Sequence, residues 1–182
     1  MAEQFGSLTG DHIEFIERQH IFFVGTAGAT GKINVSPKGM DSLRVTDPSE
    51  VVWLNLTGSG NETAAHVVEN ERMTIMFCSF EKQPLILRLY GSAKIIYPRD
   101  KSAWNQYSAL FNHQPGTRQF FEFSIDMVQT SCGFAVPFYE MTGERDTLAK
   151  WASNKGDDGI SKHWAEKNQV SLDGRPTEIL QD

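Results

Sequence analysis

The sequence is poor in cysteine and in positive charge, and both shortages limit what the protein can be. Its 182 residues include two cysteines, Cys78 and Cys132, which form no CxxC pair. Lys and Arg number 17 against 23 Asp and Glu, for a formal net charge of −6. Proteins that bind nucleic acids or anionic membranes non-specifically are usually basic, so this balance argues against both functions.

The sequence also lacks the motifs of several enzyme classes and of membrane proteins. None of its five histidines belongs to an HxH, HExxH or Cys/His pattern, and no GxSxG, Walker or GxGxxG motif is present. No stretch approaches the roughly 20 apolar residues of a membrane span. Acids at Glu3 and Asp11 argue against a signal peptide. We therefore expect a cytoplasmic protein with no metal site, no nucleic-acid partner and no membrane contact.

Short apolar segments separated by turns dominate the first 130 residues. Strands are predicted at 21–26, 32–38, 51–57, 73–80, 85–97 and 119–129. Helices are predicted at 12–18, 61–69 and 100–111, with helical patches at 146–152 and 160–167 in the tail. Closely spaced strands with few helices favour a mainly β (α+β) fold, an antiparallel barrel, over an alternating α/β sheet.

The predicted strand 32–38 separates polar from apolar side chains. Because side chains alternate along a strand, the polar Asn34, Ser36 and Lys38 fall on one face. Ile33, Val35 and Pro37 fall on the other face. The polar face could bind a ligand, or it could be the solvated outer face of an antiparallel sheet.

A glycine-rich turn, Thr57-Gly58-Ser59-Gly60, joins a predicted strand to a predicted helix. Glycine lets the backbone approach a ligand, and the first N–H groups of a helix are unpaired and carry partial positive charge. Such a corner suits a phosphate. The alternative is an ordinary helix cap, in which Ser59 and Glu62 form a capping box that satisfies the same donors.

Arg88 stands among apolar residues in the predicted strand 85–97. Its guanidinium needs a partner, because burying an unpaired charge is costly. That partner could be an anion, an electron-rich ring, or an Asp or Glu.

Several segments, taken in order and spacing, resemble the pyridoxamine 5'-phosphate oxidase-related proteins. They are Phe22-Phe23-Val24-Gly25-Thr26-Ala27, Asn34-Val35-Ser36-Pro37-Lys38-Gly39, Trp53 to Ala64, Asn70-Glu71-Arg72 and Arg88-Leu89-Tyr90-Gly91. The resemblance covers roughly residues 10–130. The later Ser131-Cys132-Gly133 and residues 167–174 are similar to the tail of one subgroup.

The resemblance implies a split β-barrel homodimer that holds FMN in a groove between the subunits. By position, Ser36, Pro37 and Lys38 would border the isoalloxazine ring, and Arg88 would approach from a neighbouring strand. The phosphate would meet the corner after the third predicted strand. The full set of predicted cofactor-binding residues is Asn34, Ser36, Pro37, Lys38, Thr57, Ser59, Asn61, Thr63 and Arg88. The predicted domains are an FMN-binding barrel, 1–130, and an extension, 131–182, that packs on the barrel or on the dimer partner.

The chain departs from the vitamin-pathway oxidases at the phosphate turn, where Glu62 and Thr63 stand in place of an Arg-Lys pair. Ile33 replaces an arginine at the start of the second strand, and the tail lacks the motif that grips the substrate's phosphate. We therefore predict an FMN-binding, oxidoreductase-like protein that acts on an unidentified small molecule other than pyridoxamine phosphate. A non-enzymatic flavin or haem carrier, a redox sensor and a deazaflavin-using relative stay open, and no catalytic residue is assigned.

Overall fold

The computed structural model describes residues 2–181 and is built around one antiparallel sheet. Its strands are β1 (Glu3–Phe5), β2 (Phe22–Thr26), β3 (Asn34–Lys38), β4 (Leu43–Asp47), β5 (Glu50–Leu56), β6 (Arg72–Cys78), β7 (Leu85–Ile96) and β8 (Thr117–Cys132). The hydrogen-bonded order is β3-β2-β6-β7-β8-β5-β4, and β1 also pairs with β8. Each of these pairings is antiparallel, which confirms the predicted fold class.

Within residues 2–181, four helices accompany the sheet: α1 (Gly10–Glu17), α2 (Glu62–Asn70), α3 (Lys101–Ser108) and α4 (Thr147–Lys167). The Thr9 hydroxyl caps α1 by accepting from the backbone N–H of His12 at 3.3 Å. Gly156 interrupts α4 with φ 63° and ψ 174°, a conformation that favours glycine. This break lies between the two helical patches predicted for the tail. None of the helices in residues 2–181 is long and apolar enough to cross a membrane.

Two strands were not predicted, β1 and β4. The strand β1 has three residues, and β4 lies at the edge of the sheet beside β5. A turn with positive φ at Met40 (61°) and Asp41 (51°) precedes β4. Short edge strands have weak sequence signals because pairing with a neighbour, rather than local propensity, stabilises them.

The main core fills the space between the sheet, α1 and α2. Its largest buried side chains include Trp53, whose ring stacks on Phe121 with centroids 4.7 Å apart. A smaller cluster on the other side of β5 packs against α3 around Phe120. The long strands β7 and β8 shift register next to Gly91, where a Cβ would come within 1.9 Å of the carbonyl oxygen of Ser124. Glycine at this position permits the close approach of the two strands.

The tail begins where β8 ends at Cys132, two residues after the predicted boundary at 130. Residues 133–146 form no helix or strand, and α4 follows them. The chain then turns back at a β-bridge between Val170 and Pro176. The thiol of Cys78 is buried, whereas Cys132 is exposed.

Candidate functional site

The register of the sheet decides which side of β3 faces the core. Pro37 pairs with Phe23, Phe23 with Met76, and Met76 with Arg88, so these four side chains share the outer face. Lys38 and Ser36 therefore point to the core side, where Ser36 lies opposite the buried Val24.

The exposure along β3 agrees with this register. Ile33, which precedes the strand, and Val35 within it are 76% and 66% exposed. The alternative that the polar face of this segment is solvated is thus wrong. The polar face turns inward, and the apolar face is open.

The inward face of β3 belongs to a layer of buried polar groups beneath α2. The amide of Asn34 donates to the Thr63 hydroxyl at 3.1 Å, and the Thr26 hydroxyl lies 3.0 Å from Nδ1 of His66. Two buried side-chain atoms among residues 2–181 have no hydrogen-bond partner, Ser36 Oγ and His66 Nε2. Such unpaired atoms are unusual in a folded protein, and they leave hydrogen-bonding capacity for a ligand.

Lys38 is a partly buried cation without an acidic partner. Within residues 2–181 no carboxylate lies within 4.0 Å of its Nζ. The Nζ lies 5.2 Å from the centre of the Trp53 ring, a distance at which a ring attracts a cation. Burial, with the charge of Arg118 as a second cause, lowers the pKa of Lys38 from 10.5 to about 8. An anion or an electron-rich ring beside Lys38 would relieve this destabilisation.

The glycine-rich corner between β5 and α2 differs from the predicted capping box. The helix begins at Glu62 with Asn61 as its N-cap, and no side chain caps it. The Asn61 amide instead exchanges two hydrogen bonds with Gln119, at 2.9 and 3.3 Å. Ser59 is exposed, so its hydroxyl and the first N–H groups of α2 are the donors that this corner can offer to an anion.

The tail packs directly on this corner. The indole N–H of Trp164 donates to the Thr57 hydroxyl at 2.8 Å, and the Asn168 amide donates to the carbonyl of Gly58 at 3.2 Å. The backbone N–H of Leu172 donates to both carboxylate oxygens of Glu62, at 3.0 and 3.1 Å. The tail therefore packs beside the position at which a phosphate was predicted and leaves Ser59 exposed.

The same tail segment is attached to the loop before β3. Arg175 forms an ion pair with Glu69 and donates to the carbonyl of Thr30 at 2.7 Å. Lys32 pairs with Asp173 at 2.6 Å. These contacts hold residues 168–181 against the ends of β2 and β3.

Arg118 is a functional candidate that the sequence did not reveal. It is 3% exposed and donates to Asn55 Oδ1 at 2.8 and 3.1 Å, to the carbonyl of Gly60 at 2.9 Å and to Asn168 Oδ1 at 2.9 Å. All three acceptors are neutral, and burial lowers the pKa of this guanidinium. Arg118 therefore fixes the glycine-rich loop and the tail to β8.

Arg88 lies apart from these groups, on the outer face of the sheet. Its Nη1 donates to the Ser131 hydroxyl at 3.0 Å. This partner is a neutral hydroxyl rather than the Asp or Glu that the sequence analysis considered. Lys38 and Arg88 consequently occupy opposite faces of the sheet within one chain.

A cleft of about 970 Å³ opens beside the end of β3. One wall comes from the barrel and includes Pro37, Lys38 and Met40, and the opposite wall comes from tail residues 139–151. This volume is in the range of small-molecule sites. The described residues contain no group of three His, Cys, Asp or Glu side chains that could hold a metal ion.

The residues present fit a flavin better on the β3 side than at the corner. On the β3 side, Ser36 has an unpaired hydroxyl and Lys38 an uncompensated charge, which suit the polar edge of the ring. At the corner, Ser59 and the N-terminus of α2 suit a phosphate, whereas Glu62 adds a negative charge beside it.

Comparison with known proteins gives one consistent result. The model of the pyridoxamine 5'-phosphate oxidase family matches residues 8–132. The pyridoxamine 5'-phosphate oxidase family protein ustO of Aspergillus flavus is 34% identical over 195 residues, covering 93% of this chain and 75% of that protein.

Solved structures show the same fold at low identity. A Lactobacillus delbrueckii protein classed with the pyridoxamine 5'-phosphate oxidases has a TM-score of 0.56 at 18% identity, over 68% of this chain and 94% of that chain. The FAD binding protein from Mycobacterium smegmatis has a TM-score of 0.50 at 9% identity, over 70% of this chain and 97% of that chain.

Proposed function

Because this chain belongs to the pyridoxamine 5'-phosphate oxidase family, we propose that it binds FMN and acts as an oxidoreductase on a small molecule other than pyridoxamine phosphate. The observation that carries the proposal is the pair Ser36 and Lys38 on β3, an unpaired buried hydroxyl beside a cation with no acid partner. A protein of the same fold is described as an FAD binding protein, which supports a flavin.

Each group on β3 has a defined role in this proposal. Bound FMN supplies reversible two-electron chemistry. The Lys38 ammonium stabilises negative charge at the polar edge of the ring, and the Ser36 hydroxyl orients that edge by a hydrogen bond. Pro37 and Asn34 flank these two groups, and Asn34 holds β3 to α2 through Thr63.

The corner between β5 and α2 is proposed to hold the phosphate. Ser59 and the first N–H groups of α2 are its direct donors. The role of Asn61, Thr63 and Thr57 is to hold the corner in shape rather than to contact the phosphate, because each already has a hydrogen-bond partner inside the protein. Glu62 opposes the phosphate charge, which distinguishes this site from one built for strong phosphate binding.

The homodimer is proposed to form on the outer face of the sheet. Val35 and Ile33 expose large apolar surfaces there, next to Pro37. Exposed apolar surface of this kind marks an interaction site. Arg88 lies on the same outer face, so the proposed dimer would place it at or near the interface rather than beside the flavin of its own chain.

The visible spectrum of the purified protein, before and after FMN addition, tests this function. We expect flavin bands when FMN is added. We also expect a more negative FMN reduction potential in Lys38→Met, because the variant lacks the ammonium that stabilises negative charge on the ring. A cation within about 4 Å of that charge, at an effective dielectric near 20, contributes up to roughly 4 kcal/mol before solvent screening. Lys94→Met, at an exposed position of β7, is the matched control.

Two outcomes would count against the proposal. A Soret band instead of flavin bands would identify a haem carrier. Equal FMN potentials in the wild type, Lys38→Met and Lys94→Met would place the flavin away from β3.

A further inference from the structure

We propose that Arg175, in the tail, is a positioning residue for the flavin site. Together with Glu69 and Asp173 it clamps the loop before β3. Through that loop it sets where the Ser36 hydroxyl and the Lys38 ammonium stand. The inference deepens the proposed function and rests on it, because it assumes that the flavin ring lies at β3. Arg175 acts on the ring through β3 and makes no contact with it.

The strand β3 stands at the edge of the sheet and needs support beyond its backbone pairing. Among the strands of residues 2–181 it pairs with β2 only. An edge strand keeps a row of backbone groups without partners, so it opens more readily than a strand inside the sheet. The Asn34 amide holds the start of β3 to α2 through Thr63. The positions of Ser36 and Lys38 therefore also depend on what fixes the preceding loop, residues 27–33.

Arg175 joins this loop to α2. Its guanidinium forms an ion pair with Glu69, near the end of α2, and donates to the carbonyl and the hydroxyl of Thr30 at 2.7 and 3.1 Å. Glu69 in turn accepts from the backbone N–H of Ala29 at 2.8 Å. The side chains of the ion pair are 19% and 29% exposed, so solvent screens them less than a pair on the open surface. The planar fork of the guanidinium serves both partners at once.

The backbone of the loop lies directly against the charged groups that clamp it. Asp173 accepts from the backbone N–H of Lys32 at 2.8 Å, in addition to its ion pair with the Lys32 ammonium. A Cβ at Gly28 would lie 2.6 Å from Oε2 of Glu69, and a Cβ at Gly31 would meet the Asp173 carboxylate. Gly31 also has a φ of 92°, which favours glycine. The loop is thus shaped to fit the clamp, and loss of the clamp would free it to move.

A clamped loop presents β3 in the conformation that binds the ring. Ordering a mobile segment during binding costs free energy, so a segment that is already held binds its ligand more tightly. Without Arg175, β3 would be in place in only a fraction of the molecules, and the apparent affinity for flavin would fall by that fraction. Because β3 meets the ring, riboflavin should lose affinity as FMN does. Glu62 differs in this respect, since its charge acts on the phosphate alone.

Riboflavin affinity and the FMN reduction potential, both measured on the full chain, test the assignment. Arg175→Met and Glu69→Gln change the net charge in opposite directions, yet each should weaken riboflavin by about threefold to tenfold. Arg175→Met should also make the FMN potential more negative, because the Lys38 ammonium is no longer held beside the ring. In Lys38→Met the same substitution should cause no further shift. A residue that only stabilises the fold would leave the potential of bound FMN unchanged.

The matched control is Lys162→Met, which removes an exposed ion pair with Glu166 elsewhere in the tail and should change neither quantity.

Hydrogen exchange of the flavin-free chain tests the positioning without the cofactor. The amides of Ala29 and Lys32 and those of β3 should exchange faster in Arg175→Met than in the wild type or Lys162→Met. The inference is overturned if exchange in β3 is unchanged, or if Arg175→Met, folded by circular dichroism, binds riboflavin as tightly as the wild type. A wild type that binds no flavin would instead contradict the proposed function, and the exchange of β3 would still decide whether Arg175 holds the strand.

Discussion

The backbone N–H of Leu172 donates to both carboxylate oxygens of Glu62, at 3.0 and 3.1 Å, and so joins the tail to the first turn of α2. The carboxylate lies at the helix N-terminus, where a negative charge is favourable. Glu62 thereby accepts the hydrogen bonds of the tail. Its negative charge also offsets the positive potential of the helix N-terminus, which would otherwise attract a phosphate. Tail attachment and phosphate affinity are coupled at this one side chain.

Glu62→Gln should tighten FMN binding by up to about tenfold and leave riboflavin binding unchanged. The amide keeps an acceptor for Leu172 but removes the charge that repels the phosphate, a repulsion of about 1 kcal/mol per charge pair at about 4 Å in water. Calorimetric titration with the two ligands measures the difference. Glu14→Gln, at an exposed position of α1, is the control, and an equal gain for riboflavin would contradict the explanation.

Raising the pH should stabilise the flavin-free protein through Lys38. The pKa of Lys38 is lowered from 10.5 to about 8 in the folded state, so between these values the unfolded chain binds a proton that the folded protein has released. The free energy of unfolding therefore rises with pH across this window, by about 1–3 kcal/mol after allowance for partial exposure.

Urea titrations of the wild type and Lys38→Met at pH 7.5 and 9.5 isolate this contribution. Other groups titrate equally in both proteins, so their effects cancel in the difference. The variant should lack the gain that the wild type shows, and parallel pH profiles of the two proteins would contradict the prediction.

Arg118→Met should destabilise the fold by about 2–4 kcal/mol. The substitution leaves buried acceptors on Asn55, Gly60 and Asn168 without donors, and relief of the buried charge offsets part of that cost. Arg118→Lys should recover little, because one ammonium cannot reproduce the planar fork of a guanidinium. Urea unfolding measures both variants, with the exposed Arg72→Met as control; full rescue by lysine would show that charge alone matters.

Val35→Glu should convert the proposed dimer into monomers. Each subunit would contribute one glutamate, so the substitution places two like charges in an apolar interface. The cation of β3, Lys38, faces inward and does not compensate them. Sedimentation at micromolar concentration reports the mass. Leu110→Glu, a partly exposed leucine after α3, should leave the mass unchanged, and a dimeric Val35→Glu would place the interface elsewhere.

Local chemistry made much of the fold and part of the site predictable. The alternation of Asn34, Ser36 and Lys38 with Val35 and Pro37 defined two faces of one strand, and the structure has that strand at Asn34–Lys38. The glycine-rich turn predicted a strand-to-helix corner, and α2 begins there at Glu62. Both are properties of neighbouring residues, which backbone geometry relates directly.

Arg118 shows what local patterns could not give. Its acceptors, Asn55, Gly60 and Asn168, lie 50 to 63 residues away along the chain, and the residues around it suggest only the start of a strand. Contacts at such separations depend on how strands pair and where the tail returns.

The sequence alone determined that this protein is an antiparallel barrel of the pyridoxamine 5'-phosphate oxidase family, with polar residues on one side of β3 and a phosphate-like corner before α2. Only the tertiary structure decided that the polar side faces inward, that Arg88 lies on the opposite face from Lys38, and that the tail packs against the corner. The reason is physical: alternation fixes relative sides along a strand, but strand pairing and tail packing fix which side meets the core.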